Sequence, residues 1–286
     1  MTATGFFLNV NKPTGTTSRD VVDVVVRAAR TRRVGHAGTL DPLASGVLVI
    51  AVEKATRLIE YVQQQTKTYE AEFQLGVTSE TDDSESELMQ VEGNTPPTKR
   101  EILDAFPPFL GTIEQRPPSY SAVKVAGQRA YRLARKGKEV VIAARPVVIH
   151  RLELLSYEYP RLSLRVVCGS GTYIRSLARD LGEKLGTGGV MTALRRTAVG
   201  VFHSEDSISL EELGRPGWRE RARPYGDALV DLDRVEVNEE EAKLFRTGRP
   251  FRQGTDRGER EYAVYCAGQF LGISSSDFRP IKGGFA

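Results

Sequence analysis

The stretch GHAGTLDPLASG, residues 35–46, fixes a single carboxylate, Asp41, between Leu40 and Pro42, with Gly38, Ala44, Ser45 and Gly46 close by. The proline biases Asp41 away from the α region, into an extended or turn geometry. The glycines permit sharp bends and the close approach of another backbone. Asp-Pro turns are common structural devices, so one such turn carries no function alone. A carboxylate held this way can also act as a nucleophile, or stabilise a cationic centre in a substrate. His36 precedes it by five residues, behind the basic run Arg27, Arg30, Arg32 and Arg33.

Other chemistries lack their residues. His36, His150 and His203 are scattered without ligand spacing, and Cys168 and Cys266 form no CxxC pair, so no metal site is expected. GSG at 169–171 lacks the third glycine of a dinucleotide fingerprint, and GxxxxGK[ST] is missing, so no nucleotide cofactor is expected. No GxSxG elbow exists for acyl transfer.

Composition is that of a globular protein: 286 residues, 40% hydrophobic and 27% charged. No apolar run approaches the roughly 20 residues that span a bilayer. MTATGFFLNVNKP lacks the basic and apolar regions of a secretory signal. With so few cysteines, a cytoplasmic location is expected. Net charge is only +3, but it is segregated. Lys124, Arg129, Arg132, Arg135, Lys136 and Lys138 form a second basic cluster. Against both stands an acidic segment, 80–92, with Asp82, Asp83, Glu85 and Glu87, which reads as a solvated loop. Such a distribution can offer a basic face to RNA or DNA phosphates.

These groups must be positioned by the elements around them. FFLNV (6–10) and VLVIAV (47–52) read as strands, and Ser18 as the N-cap of a helix to about Ala29. Residues 55–63 have helical spacing. TYEAEFQL (68–75) alternates, placing Tyr69, Ala71, Phe73 and Leu75 on one face. LSLRVVC (162–168) is a further strand, running through GSGTYIRSLARDLGEKLG (169–186) into an amphipathic helix. Strands outnumber helices without regular alternation, so the expectation is an α+β fold with a mixed, largely antiparallel sheet. Beyond the Pro/Gly-punctuated stretch 215–226, an acidic helix (238–248) and short strands near 263–267 and 270–275 predict a small β-rich domain. The expected division is 1–230 and 231–286.

Taken together, the segments carry a resemblance. GHAGTLDPLASG closely resembles the motif of the nucleophilic aspartate in pseudouridine synthases. NKPTGTTS (11–18), KTYEAEFQLG (67–76), RPPSYSAVKVAGQRAYRLARKG (116–137), GTYIRSLARDLGEKLG (171–186) and ALRRTAVG (193–200) resemble, in order, further blocks of the TruB family of bacterial tRNA pseudouridine-55 synthases. The resemblance implies that Asp41 is the catalytic nucleophile. It implies that His36 helps hold the flipped-out nucleotide and that Tyr69 stacks on the target base. Tyr173 and Leu194 would line the uracil pocket, Arg175 would pair with Asp41, and Lys12 with Pro13 would support the aspartate loop. It also implies a PUA-like RNA-binding domain at 231–286, and a monomer acting on the T-arm stem-loop of tRNA with neither a cofactor nor a membrane.

The chemistry suits these residues. Converting uridine to pseudouridine breaks N1–C1′ and joins C5 to C1′ with no redox change, and attack by Asp41 on either the sugar or the base fits it. Burial raises a carboxylate's pKa, and a guanidinium beside it opposes that rise. Reaching a stacked uridine requires flipping it out onto an aromatic. Two rivals use the same surface: a non-catalytic tRNA-binding or folding protein, and a nucleosidase, which would want a second carboxylate.

Overall fold

The computed structural model describes residues 5–120, 124–125, 128–129, 142–252 and 260–285. From the N-terminus, β1 (Phe6–Lys12) leads into helix α1 (Ser18–Ala29), followed by β2 (Val34–His36) and β3 (Ala44–Val52). A 3-10 turn (Glu53–Leu58) and α2 (Ile59–Gln64) precede β4 (Lys67–Leu75) and the short pair β5 (Val77–Thr78) and β6 (Met89–Gln90). Then come α3 (Lys99–Asp104), β7 (Gly111–Gln115), a hairpin of β8 (Lys124–Val125) and β9 (Gln128–Arg129), β10 (Arg145–Glu158) and β11 (Arg161–Cys168). Helix α4 (Ile174–Lys184), β12 (Gly189–Val199) and β13 (Phe202–His203) complete this part. The C-terminal elements are β14 (Asp233–Glu236), α5 (Glu239–Arg246), β15 (Glu261–Cys266), β16 (Gln269–Ser275) and β17 (Pro280–Lys282).

One nine-stranded sheet organises the chain in the order β1-β3-β12-β4-β11-β10-β7, with β2 added beside β3 and β13 beside β12. Every pairing is antiparallel except β12 with β3. The expected mixed, largely antiparallel α+β fold is what forms. β3 is apolar almost throughout and eight of its nine residues are buried, as a strand covered on both faces requires. At that central position Gly46 has φ +99°, and a Cβ there would lie 2.2 Å from the Arg196 carbonyl oxygen, so only glycine lets β12 close against β3.

Apolar side chains fill both faces. On one, Val21, Val22, Val25 and Ala29 of α1 and Leu177, Ala178 and Leu181 of α4 pack with Leu48, Phe73 and Leu164. On the other, Phe7, Val47, Val49 and Ala51 pack with Ala55, Leu58 and Val62, and also with Ala263, Phe270, Ile273 and Phe285 from the C-terminal segment. That segment forms a four-stranded sheet, β14-β15-β16-β17, with its own cluster around Phe245, Phe251 and Val264. Tyr61 donates to Glu261 at 2.7 Å, and Arg57 to the Gly283 carbonyl at 2.6 Å, across the junction.

Two local readings change. Thr17, not Ser18, caps α1, in a reciprocal box with Asp20. Ser18 is thereby one residue inside the helix, and its hydroxyl turns to the aspartate motif instead. The acidic segment is not wholly solvated, because Asp82 and Asp83 are buried against arginines of α4. Arg27, Arg30, Arg32 and Arg33 are exposed around the C-terminal end of α1. Of the second basic cluster, Arg132, Arg135, Lys136 and Lys138 lie outside the described residues, and for Lys124 and Arg129 only the backbone hairpin is described.

Candidate active site

Asp41 opens a β-turn: its carbonyl accepts from the Ala44 N–H at 3.0 Å, with Pro42 at the second position, where its fixed φ suits the turn. Three contacts hold this turn. The Ser18 hydroxyl bonds both the carbonyl and the N–H of Leu40 at 2.9 Å. The Gly15 N–H donates to the Pro42 carbonyl at 2.8 Å. Lys12, fully buried, donates to the carbonyls of Thr16 (2.6 Å), Pro13 (3.0 Å) and Pro42 (3.5 Å). Burial lowers the Lys12 pKa, and the nearby Asp41 charge opposes that shift. Pro13 contributes only its carbonyl here.

Arg175 stands in the first turn of α4, where the helix dipole disfavours a cation. Two carboxylates reverse that: Nη2 lies 3.1 Å from Asp41 Oδ2, and Nη1 lies 3.1 Å from Asp83 Oδ2. Nη1 also donates to the Thr81 carbonyl and Nη2 to the Tyr120 carbonyl, each at 3.1 Å. The side chains of Arg175 and Asp83 are 8% and 1% exposed, whereas that of Asp41 is 40% exposed. Of the two carboxylates on this guanidinium, Asp41 is the one a substrate can reach.

The cleft beside Asp41 has a volume of about 610 Å³. Tyr69, Tyr173, Arg175 and Leu194 line it with Asp41, so five of the expected site residues meet there. Tyr69 and Leu194 come from neighbouring strands and are each 8% exposed, giving an apolar wall. Burial raises the Tyr69 pKa, against the pull of Arg196, so the phenol stays neutral at physiological pH. Tyr173 caps α4 and is fixed by Gln115, which accepts from its N–H at 2.8 Å and donates to its carbonyl at 3.0 Å. The Arg145 guanidinium lies 5.1 Å from the centre of the Tyr173 ring.

His36, Lys12 and Pro13 do not line this cleft. His36 sits on β2 opposite Ile50, its Nδ1 buried without a hydrogen-bond partner and its pKa lowered by that burial. Lys12 and Pro13 lie with the turn that carries Asp41.

Three side chains at the site went unread in the sequence. Asp83 is hidden within an acidic run, and nothing local distinguishes it. Lys67 and Arg196, both buried and both lining the cleft, were legible: each is two residues from an inward-facing position, Tyr69 and Leu194, on an alternating strand.

Comparisons with known proteins identify the family. A family model described as TruB family pseudouridylate synthase (N terminal domain) matches residues 26–174, and one described as tRNA pseudouridylate synthase B C-terminal domain matches 175–237. The tRNA pseudouridine synthase B of Clostridium perfringens is 42% identical over 282 residues, 96% of each chain. That of an Arthrobacter species is 44% identical over 261 residues, 89% of this chain and 85% of its own. Among solved structures, a Cbf5-Nop10-Gar1 complex superposes with a TM-score of 0.73 at 27% identity, covering 96% of this chain and 79% of that one. An H/ACA RNP bound to a substrate RNA containing 2'-deoxyuridine gives 0.70 at 25% identity, covering 94% and 77%. This chain belongs to the TruB family of pseudouridylate synthases.

Proposed function

We propose that this chain isomerises uridine to pseudouridine at position 55, in the T-loop of tRNA, with Asp41 as the nucleophile. The single observation that carries the reading is the Asp41–Arg175 pair at 3.1 Å, opening onto a cleft walled by Tyr69 and Leu194. Asp41 attacks the uridine, the N1–C1′ bond breaks, and the detached base turns and bonds C1′ through C5. The C5 proton leaves, N1 gains one, and the carboxylate is released, so the balance is that of an isomerisation without cofactor or metal. Arg175 holds the Asp41 carboxylate aimed into the cleft through their contact at 3.1 Å. Tyr69 offers the flat surface on which a flipped base stacks, and Leu194 with Tyr173 excludes the water that would divert the reaction to hydrolysis. His36 braces the space the nucleotide leaves, and Lys12 and Pro13 hold the aspartate turn.

The T-arm stem-loop of tRNA is the partner, and the exposed arginines 27–33 supply phosphate contacts beside the site. The names of the curated relatives support tRNA as substrate. Residues 231–286 act as a PUA-like RNA-binding unit on the catalytic part, 1–230. The protein works as a monomer in the cytoplasm; no helix among the described residues is long and apolar enough to cross a membrane.

The test is a T-arm hairpin tritiated at C5 of the target uridine, with a chelator present. The isomerase releases tritium to water from intact RNA with no free uracil. Free tritiated uracil makes the protein a nucleosidase. Saturated binding with unchanged RNA makes it a binding or folding protein, and either outcome rejects the proposal.

A further inference from the structure

The cleft holds three buried cations, and only one has counter-ions. Arg175 faces two carboxylates, but among the described residues no ion pair includes Arg196 or Lys67. Arg196 is 2% exposed, donates from Nε to the Val47 carbonyl at 2.7 Å and from Nη2 to the Gly38 carbonyl at 3.1 Å, and also hydrogen-bonds the Tyr69 side chain. Lys67 is 6% exposed and donates to the carbonyls of Gln65, at 2.6 Å, and Gln63. Cys168 adjoins both, but burial pushes its thiol up to about 11, so it supplies no negative charge near neutrality. Burial pushes Lys67 down to about 8, with Arg196 adding to the shift, which leaves it mostly charged at pH 7. Two unpaired buried charges are costly to a fold, and they are tolerated where an anion is to be met.

Position says which anion. Exposure falls from the Asp41 side chain, at 40%, to Tyr69, Lys67 and Arg196, all at 8% or less. A phosphodiester stays with the polymer outside, and the flat base is the part of a nucleotide that reaches the closed end. In any route to C5–C1′ bonding, the uracil ring passes through negative charge. If C1′ is attacked, the N1–C1′ electron pair moves onto the ring; if C6 is attacked, the ring becomes an enolate. In each case the charge is discharged when C5 bonds C1′, C5 loses its proton and N1 is protonated.

We propose that Arg196 and Lys67 are positioning residues of the base pocket, which stabilise the negative charge on the uracil ring through the field they set behind Tyr69. This rests on the isomerase reading, and the experiment separates the two. Single-turnover loss of the target nucleoside is measured on T-arm hairpins carrying uridine or 5-fluorouridine, read by nuclease digestion and chromatography with mass detection. With no C5 proton to lose, the fluorinated ring keeps its fluorine after C5 bonds C1′ and takes up water across the remaining N1–C6 double bond. Fluorine withdraws electrons and stabilises the ring anion, so the enzyme's help matters less. Lys67→Met is expected to slow uridine by about tenfold or more and 5-fluorouridine by at least about threefold less, with Arg196→Lys milder than Arg196→Gln. Lys67→Arg, which keeps the charge, should restore most of the rate. Equal slowing of both substrates by Lys67→Met, or no rescue by Lys67→Arg, overturns the proposal and leaves Lys67 a structural lysine. Should the Arg196 variants not fold, the Lys67 pair decides alone. A wild-type protein that forms no pseudouridine sinks the functional reading instead.

Discussion

Arg175 reaches Asp41 at 3.1 Å from a guanidinium whose other nitrogen is held at the same distance by Asp83. The two carboxylates play unequal parts. Asp83 is sealed from solvent and fixes the arginine, while Asp41 stands at the mouth of the cleft. A buried cation shared in this way cannot swing with the substrate, so the nucleophile is aimed before RNA arrives. Two carboxylates around a cleft could suggest a hydrolase with an acid and a base. Here the second is sealed in an ion pair at 1% exposure, out of reach of a leaving group.

Replacing Asp41 by Asn should therefore abolish product while leaving T-arm affinity within about tenfold, because phosphate contacts dominate RNA binding. Single-turnover tritium release and filter binding on one hairpin measure both. Substantial residual turnover would remove Asp41 from the nucleophile's role.

Asp83→Ala should cost about 3–5 kcal/mol of stability, the usual penalty for leaving one member of a buried pair alone, softened to the lower end by Asp41. Urea unfolding measures it. The rate should fall as well, since Arg175 would lose the anchor that orients it. A variant as stable as the wild type would show that Asp41 and the backbone carbonyls alone satisfy Arg175.

Much of this was legible in the sequence. The alternation of 68–75 puts Tyr69 inward, Pro42 and the glycines announce a turn at Asp41, and the apolar run 47–52 reads as a buried strand. Asp83 was not legible, because its meaning lies in a partner on a helix far along the chain, and no local pattern reports such a contact. Ser18 and Thr17 are equally competent caps by residue type; the position of Asp20, three residues after Thr17, decides for Thr17. The C-terminal segment read as a separate small domain from its punctuation. Its shared core with β1 and β3 comes from β-strand residues such as Phe270 and Ile273, which look the same whether they face their own sheet or another.

That shared core has a consequence for truncation. Removing residues from 233 onward takes away Ala263, Phe270, Ile273 and Phe285 and bares the cluster around Phe7 and Leu58. Each large side chain so exposed loses about 2 kcal/mol of burial. The truncated protein should melt well below the full chain and bind a hydrophobic dye. Should it melt unchanged, the junction contributes nothing to stability, and the segment is a freely appended RNA-binding unit.

Asp82 gives the pH dependence. It is buried against Arg179 at 2.7 Å, and burial, only partly offset by that arginine, raises its pKa to about 6 from the ordinary 3.8. A carboxyl with a raised folded pKa binds more protons in the native state than in the unfolded chain between those values. Its contribution to stability is thus complete below pH about 4 and lost as pH rises through about 6. Asp82→Asn removes the ionisation, and Asn tolerates the left-handed backbone found there, φ +59°. Relative to wild type, the variant should gain stability steadily between pH 4 and pH 6 and hold that gain to pH 7. Urea midpoints at four pH values measure the difference. A flat or falling difference across that window would mean that the pair with Arg179 outweighs the burial of Asp82.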